Sequence, residues 1–229
     1  MSFDARVIRV LVASPSALPD ERKTVIDTVY EWNVQHAEAE ATVLLPVAWE
    51  THATPRANVR PQQAINEQLV DCSDILIGMF WIKLGTSTGA ADSGTVEEIE
   101  RFVAEGKPAQ LYFSNRPIDP NTIDARQNRK LKKFRDSIRK TALTGSFNSL
   151  DSLRETVSRN LLSEVRSLRI KKSRDAADLA SAANPPRRLI PRQLHTIRTM
   201  HQTQTGSEQI LNAPRFPRSG NMTRVESRR

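Results

Sequence analysis

Glu97, Glu98 and Glu100 stand close together in the stretch "ADSGTVEEIERFVAEGKP", residues 91–108, directly after a glycine and a threonine. Carboxylates at this density suit two jobs. As a helix start, Thr95 with Glu98 three residues on forms a capping box, in which hydroxyl and carboxylate each satisfy an otherwise orphaned amide. Glu97 and Glu98 would also favour the positive end of the helix dipole. As chemistry, Asp92 and Glu98 flank the end of a Gly/Ser/Thr-rich segment, "KLGTSTGAADSGT", whose backbone can approach a phosphate or a ribose closely. One carboxylate can hold ribose hydroxyls while the other attacks, or stabilises, an oxocarbenium-like carbon as a base departs. On a helical wheel Val96, Ile99, Phe102 and Val103 form the buried stripe, with Glu97 pointing away from it and Glu98 at its margin. Capping and catalysis compete for one conformation of Glu98.

The elements that must position these acids alternate along the chain. "RVIRVLVAS", "ATVLLPVAW", "DILIGMFWI" and "AQLYFS" read as strands, and "GSFNS" as a brief fifth. The third is apolar enough to be buried on both faces. Helices are expected from Pro19 through Val34, over Gln62 to Val70, Val96 to Glu105, Asp124 to Lys140 and Leu150 to Leu168. Strands alternating with helices predict an open parallel sheet of four to five strands with helices on both faces. In such a sheet ligands bind beyond the carboxyl ends of the strands, which nominates the loops Ser14 to Asp20, Glu50 to Arg60 and Lys83 to Thr95.

Those loops carry further candidates. Ser14 and Ser16 can hold a phosphate or ribose through hydroxyls and amides, or simply form the turn that "S-P-S" favours. Asp20, Glu21 and Arg22 read as an exposed first helical turn. Trp81 leaves the third strand towards the loops and can stack on a base or join the core. Trp49, Glu50 and His52, "W-E-T-H", lie at the same edge after the second strand. No His and acid pair has metal-ligand spacing, and no GxxxxGK[ST] run or Ser elbow is present.

The charge is unevenly placed. Lys and Arg number 34 against 26 Asp and Glu, yet from Lys171 onward there are 12 basic and 4 acidic residues, so residues 1–170 are neutral. A domain over 1–170 and a disordered, basic, Pro/Arg/Ser-rich tail over 171–229 are expected, the tail being too poor in apolar residues to offset chain entropy. With "RQNRKLKKFRDSIRK", the tail offers a non-specific, salt-sensitive contact to nucleic acid. The single cysteine, Cys72, excludes an intramolecular disulfide. No apolar run approaches membrane length and no signal peptide opens the chain, so a cytoplasmic protein without a membrane partner is expected.

"VLVASPSALPDERKTVIDTVYEWN", "LLPVAWETHATP", "INEQLVDCSDILIGMFWIKLGTSTG", "SGTVEEIERFVAEGKP" and "LYFSNRP", in that order, resemble the bacterial domain of unknown function 4062 (DUF4062) family over roughly residues 5–168. That family is grouped by likeness with TIR domains and nucleoside 2-deoxyribosyltransferases. The resemblance implies a flavodoxin-like, TIR-like α/β fold. It matches Glu98 to the catalytic Glu of both enzyme groups and Asp92 to the ribose-binding acid. Gly85, Thr86, Gly94 and Thr95 with Ser14 and Ser16 would then contact phosphate or sugar, and Trp81 would flank the base. The third acid, Glu100, departs from the deoxyribosyltransferase pattern, and the "S-x-W-C-x-x-E" run of TIR enzymes is absent. The implied activity is cleavage of an N-glycosidic bond in a nucleotide, with NAD as substrate rather than cofactor, by a homo-oligomer in a stress or phage-defence setting. The alternatives are a non-catalytic module binding a nucleotide or partner proteins, and a nucleic-acid binder acting through the tail.

Overall fold

The computed structural model describes residues 2–119, 121 and 123–183. The β-branched runs become five parallel strands: β1 (Arg6–Ala13), β2 (Thr42–Val47), β3 (Ile75–Phe80), β4 (Ala109–Ser114) and β5 (Gly145–Phe147). They pair in the order β2-β1-β3-β4-β5, the flavodoxin-like arrangement. All six residues of β3 are buried, as its unbroken apolar run requires of a central strand. Val10 is aligned with Pro46 on one side and Ile75 on the other, which fixes the register around β1.

Alternate residues of the strands feed opposite layers. Ile8, Val10, Val12, Ile75, Ile77 and Met79 meet Val25, Val29 and Trp32 of α1 (Pro19–Glu40) and Leu153, Val157, Leu161 and Val165 of α6 (Leu150–Ala183). On the other face Leu11, Leu76, Phe80, Leu111 and Phe113 meet Val96, Ile99 and Phe102 of α4 (Gly94–Ala104) and Leu131 of α5 (Ala125–Ile138). The chain therefore leaves β1 for one face and β3 for the other. Their carboxyl ends, adjacent in the sheet, open a crevice at this switch of direction.

Several boundaries differ from the sequence reading. The polar loop after β2 contains a helical turn, α2 (Trp49–His52). The expected Gln62–Val70 helix is α3 (Pro61–Ile65) running into a π-helical turn, Asn66–Val70, so the last residues rotate relative to an ordinary helix. α6 runs past residue 170 to Ala183, and residues 169–179 are exposed, with no apolar stripe to signal their helicity. The expectation of disorder over the rest of the tail lies outside the described residues. Among the described residues no helix is long and apolar enough to cross a membrane.

Candidate functional site

Ser93, not Thr95, caps α4. Ser93 is fully buried and its Oγ accepts the Val96 amide at 3.1 Å, so the helix starts at Gly94. The expected capping box is thereby overturned: Thr95 is already inside the first turn. Glu98 faces the interior, 7 % exposed. Its Oε1 accepts a hydrogen bond from Gln62 Nε2 of α3 at 3.0 Å. Gly94 makes that approach available, because a Cβ there would collide with the Gln62 carboxamide oxygen.

Glu97, next along the helix, has the opposite surroundings. Arg60 donates to both of its oxygens, at 3.0 and 2.5 Å, with Thr88 Oγ1 at 2.5 Å and Asn66 Nδ2 at 2.9 Å. Gln62 also donates to Asn66 at 3.2 Å, which links the two carboxyls through α3 and the first residue of the π-helical turn. The Arg60 hydrogen bonds, helped by Thr88 and Asn66, hold Glu97 well below the usual carboxyl value, at about 2. Burial pushes Glu98 up to about 7 and the Glu97 charge adds to this, against the Gln62 hydrogen bond and the Arg22 charge. Neighbouring carboxyls with values driven this far apart take separate roles: Glu97 a fixed anion, Glu98 a group that exchanges its proton near neutrality.

Glu98 lies on the wall of a cavity of about 950 Å³ at the crevice between β1 and β3. Ser14, Ser16, Gly85, Thr86, Gly94 and Thr95 line it with Glu98. Asp92 and Trp81 are not brought to this wall. Asp92 points outward to Lys130 of α5 at 2.9 Å. Trp81 is half-buried beneath Arg116, whose guanidinium lies 4.3 Å from its ring, and its Nε1 donates to the Arg116 carbonyl at 3.4 Å. Arg116 in turn pairs with Glu21, which is 1 % exposed rather than on an exposed first turn.

Four side chains not singled out as ligand contacts build the rest of the site. Arg22 donates to Ser14 Oγ at 3.0 and 3.1 Å and to the Ser14 carbonyl at 3.2 Å, and pairs with Glu50 of α2. It binds the loop after β1 to the helix after β2. Gln127 of α5 accepts the Leu84 and Gly85 amides at 3.1 and 3.2 Å and donates to the Gly85 carbonyl at 3.1 Å. Gly85 has φ +115°, a conformation that suits glycine, so loop and clamp specify each other. Lys83 stands half-buried on the same wall, and Gln62 completes the set. Arg22 was legible only as part of a surface turn. Gln62 and Gln127 gave no local signal, since their partners lie 36 and 42 residues away.

Gly94→Ala tests the Gln62–Glu98 contact. The clash is with the tip of a flexible side chain, so Gln62 swings aside and the fold loses only about 1 kcal/mol, one hydrogen bond's worth. Glu98, without its donor, titrates higher than in the native protein. Urea melts and a carboxyl titration by nuclear magnetic resonance read the two effects separately.

The family model described as "Domain of unknown function (DUF4062)" matches residues 9–162. No curated protein matches the chain. Among solved structures, the crystal structure of RosB with bound 8-demethyl-8-formylriboflavin-5'-phosphate is similar over 97 % of this chain and 100 % of its own, at 10 % identity and a TM-score of 0.37. A likeness that low carries no argument about ligand or reaction.

Proposed function

The chain belongs to the domain of unknown function 4062 family, and from the site itself we propose that it breaks an N-glycosidic bond in a nucleotide whose base leaves as a neutral molecule. The observation that carries this reading is Glu98, buried on the wall of the large crevice cavity and able to exchange its proton near neutrality. When ionised, its carboxylate attacks, or stabilises, C1′ of the ribose while the C1′–N bond breaks and its electron pair leaves with the base. Water then adds to C1′, releases Glu98, and gives up a proton to solvent.

A pyridinium nucleotide such as NAD fits this site better than a neutral nucleoside. A cationic nicotinamide leaves neutral by taking the bonding pair, with no acid to protonate it. The other acids on the wall are otherwise engaged: Glu50 pairs with Arg22, and Asp124 Oδ1 accepts the Arg126 and Gln127 amides at 2.8 and 3.1 Å to cap α5. Lys83 and the Thr86 amide offer charge and a donor for phosphate, as Ser14 and Ser16 offer hydroxyls. In this reading Arg22 and Gln62 set the carboxyl, while Asp92 and Trp81 hold neighbouring loops.

The test is release of nicotinamide or free base from NAD, NADP and deoxynucleosides by concentrated protein with crowding agents, since the family resemblance couples activity to self-association. Release from the pyridinium nucleotides that vanishes in Glu98→Gln is expected. Equal inertness of two well-folded proteins would overturn the reading and favour a nucleotide-binding module.

A further inference from the structure

Beside the Glu98 cavity lies a second one of about 410 Å³. Trp49, Glu50, Pro61 and Ile65 line both, so the two lie against each other across the gap between α2 and α3. The smaller cavity has six apolar groups in its lining, Trp49, Ala53, Pro55, Pro61, Ala64 and Ile65, beside the polar Glu50, Thr54, Arg56 and Gln68. Part of its wall is braced. Gln68 accepts the Thr54 amide at 2.8 Å and donates to the Thr54 carbonyl at 3.1 Å, so it holds the chain after α2. A cavity that combines an aromatic and other apolar groups with a few polar ones has the usual make-up of a small-molecule site.

Trp49 is the feature that decides the ligand. Trp32 is completely buried and Trp81 lies under Arg116, whereas Trp49 is 48 % exposed on the shared wall. Neither the sheet core nor the hydrogen-bond network of the Glu98 site uses its ring. What sets this indole apart from other exposed apolar groups is its place on the wall shared by two cavities, where its flat face is available for a base to stack on.

On the premise of the reading given above, we infer that the site takes a dinucleotide: one nucleotide unit is cleaved beside Glu98 and the base of the other stacks on Trp49 in the smaller cavity. The class of substrate follows from the pair of cavities. A mononucleotide would fill only the first.

The experiment uses the full chain carrying Glu98→Gln, so that binding is read at equilibrium without turnover, and compares NAD with nicotinamide mononucleotide by calorimetry and by tryptophan fluorescence. NAD is expected to bind at least tenfold more tightly than the mononucleotide and to quench the exposed indole. Trp49→Ala brings the ratio of the two affinities to about one, the loss expected when a base–indole stack is removed, and Trp49→Phe keeps most of it. Thermal melts check that both variants fold. A native ratio near one, or a ratio that Trp49→Ala leaves unchanged, overturns the dinucleotide assignment alone, because Glu98-dependent base release is scored separately. If neither probe binds and no base is released, the cleavage reading and this assignment fall together.

Discussion

Glu98→Gln is expected to stabilise the protein at pH 8 by about 3 kcal/mol while lowering turnover roughly a thousandfold or more. Burial lifts the carboxyl from its ordinary 4.5 to about 7, which corresponds to about 3 kcal/mol of preference for the neutral form in the folded state. The folded protein thus holds this proton more tightly than the unfolded chain. That contribution to stability is complete below about pH 4.5, declines as pH rises and is gone above about pH 7. Glutamine keeps the shape and the contact with Gln62 but never ionises. Variant and native protein should therefore match near pH 4 and diverge steadily to pH 8, with a gap in melting temperature of about 6–12 °C for a chain of this size. Every other titrating group cancels in the difference. A variant equally or less stable at both pH values would mean that the Glu98 charge is well compensated and that Glu98 titrates as an ordinary carboxyl. Turnover carries the opposite sign: it needs the carboxylate, so it should rise through about pH 7 and level off above. A buried acid that costs stability at the pH where it works is the usual mark of a functional group rather than a packing one.

The sheet was readable from the chain because its signals are local. Five β-branched or apolar runs gave five strands, and the unbroken "ILIGMF" of β3 marked the central one. The carboxyl-edge loops followed from the alternation of elements. The start of α4 was misread because Ser93 and Thr95 are both good caps two residues apart, and nothing local chooses between them. The choice is made by Gln62, which occupies the space beside Gly94 and draws Glu98 inward. Glu97 appeared to be a solvent-facing acid because its anchor, Arg60, lies 37 residues earlier. Sequence periodicity shows which face is apolar but not which polar groups on different loops will meet. The end of α6 was missed for a related reason: residues 169–179 are exposed, and Arg169 meets the rest of the fold through an ion pair with Glu40 rather than through an apolar face, so no apolar repeat records it.

Replacing Arg22 should have the second large effect, through two separable routes. The guanidinium ties Ser14 and Glu50 together, with 15 % and 30 % of the Arg22 and Glu50 side chains exposed. Arg22→Gln leaves Glu50 without its cation and Ser14 without its donor, a loss of about 2–3 kcal/mol, towards the lower end for a pair only partly desolvated. The same substitution removes the positive charge that pulls Glu98 downward, so the midpoint of the pH–rate profile moves above about 7. Turnover at neutral pH then falls with the ionised fraction, tenfold for each whole pH unit of movement. Arg22→Lys separates the routes. It restores a charge, so the midpoint should return towards the native value, but an ammonium cannot reproduce the fork that reaches Ser14 and Glu50 together, and the stability loss should remain. Urea melts at pH 7 measure the first effect and the pH–rate profile the second. If both variants move the midpoint equally, the shift comes from a rearranged loop rather than from charge, and Arg22 is only a brace. If Lys restores the midpoint without restoring stability, Arg22 sets the proton affinity of Glu98 through its charge and the shape of the crevice through its fork.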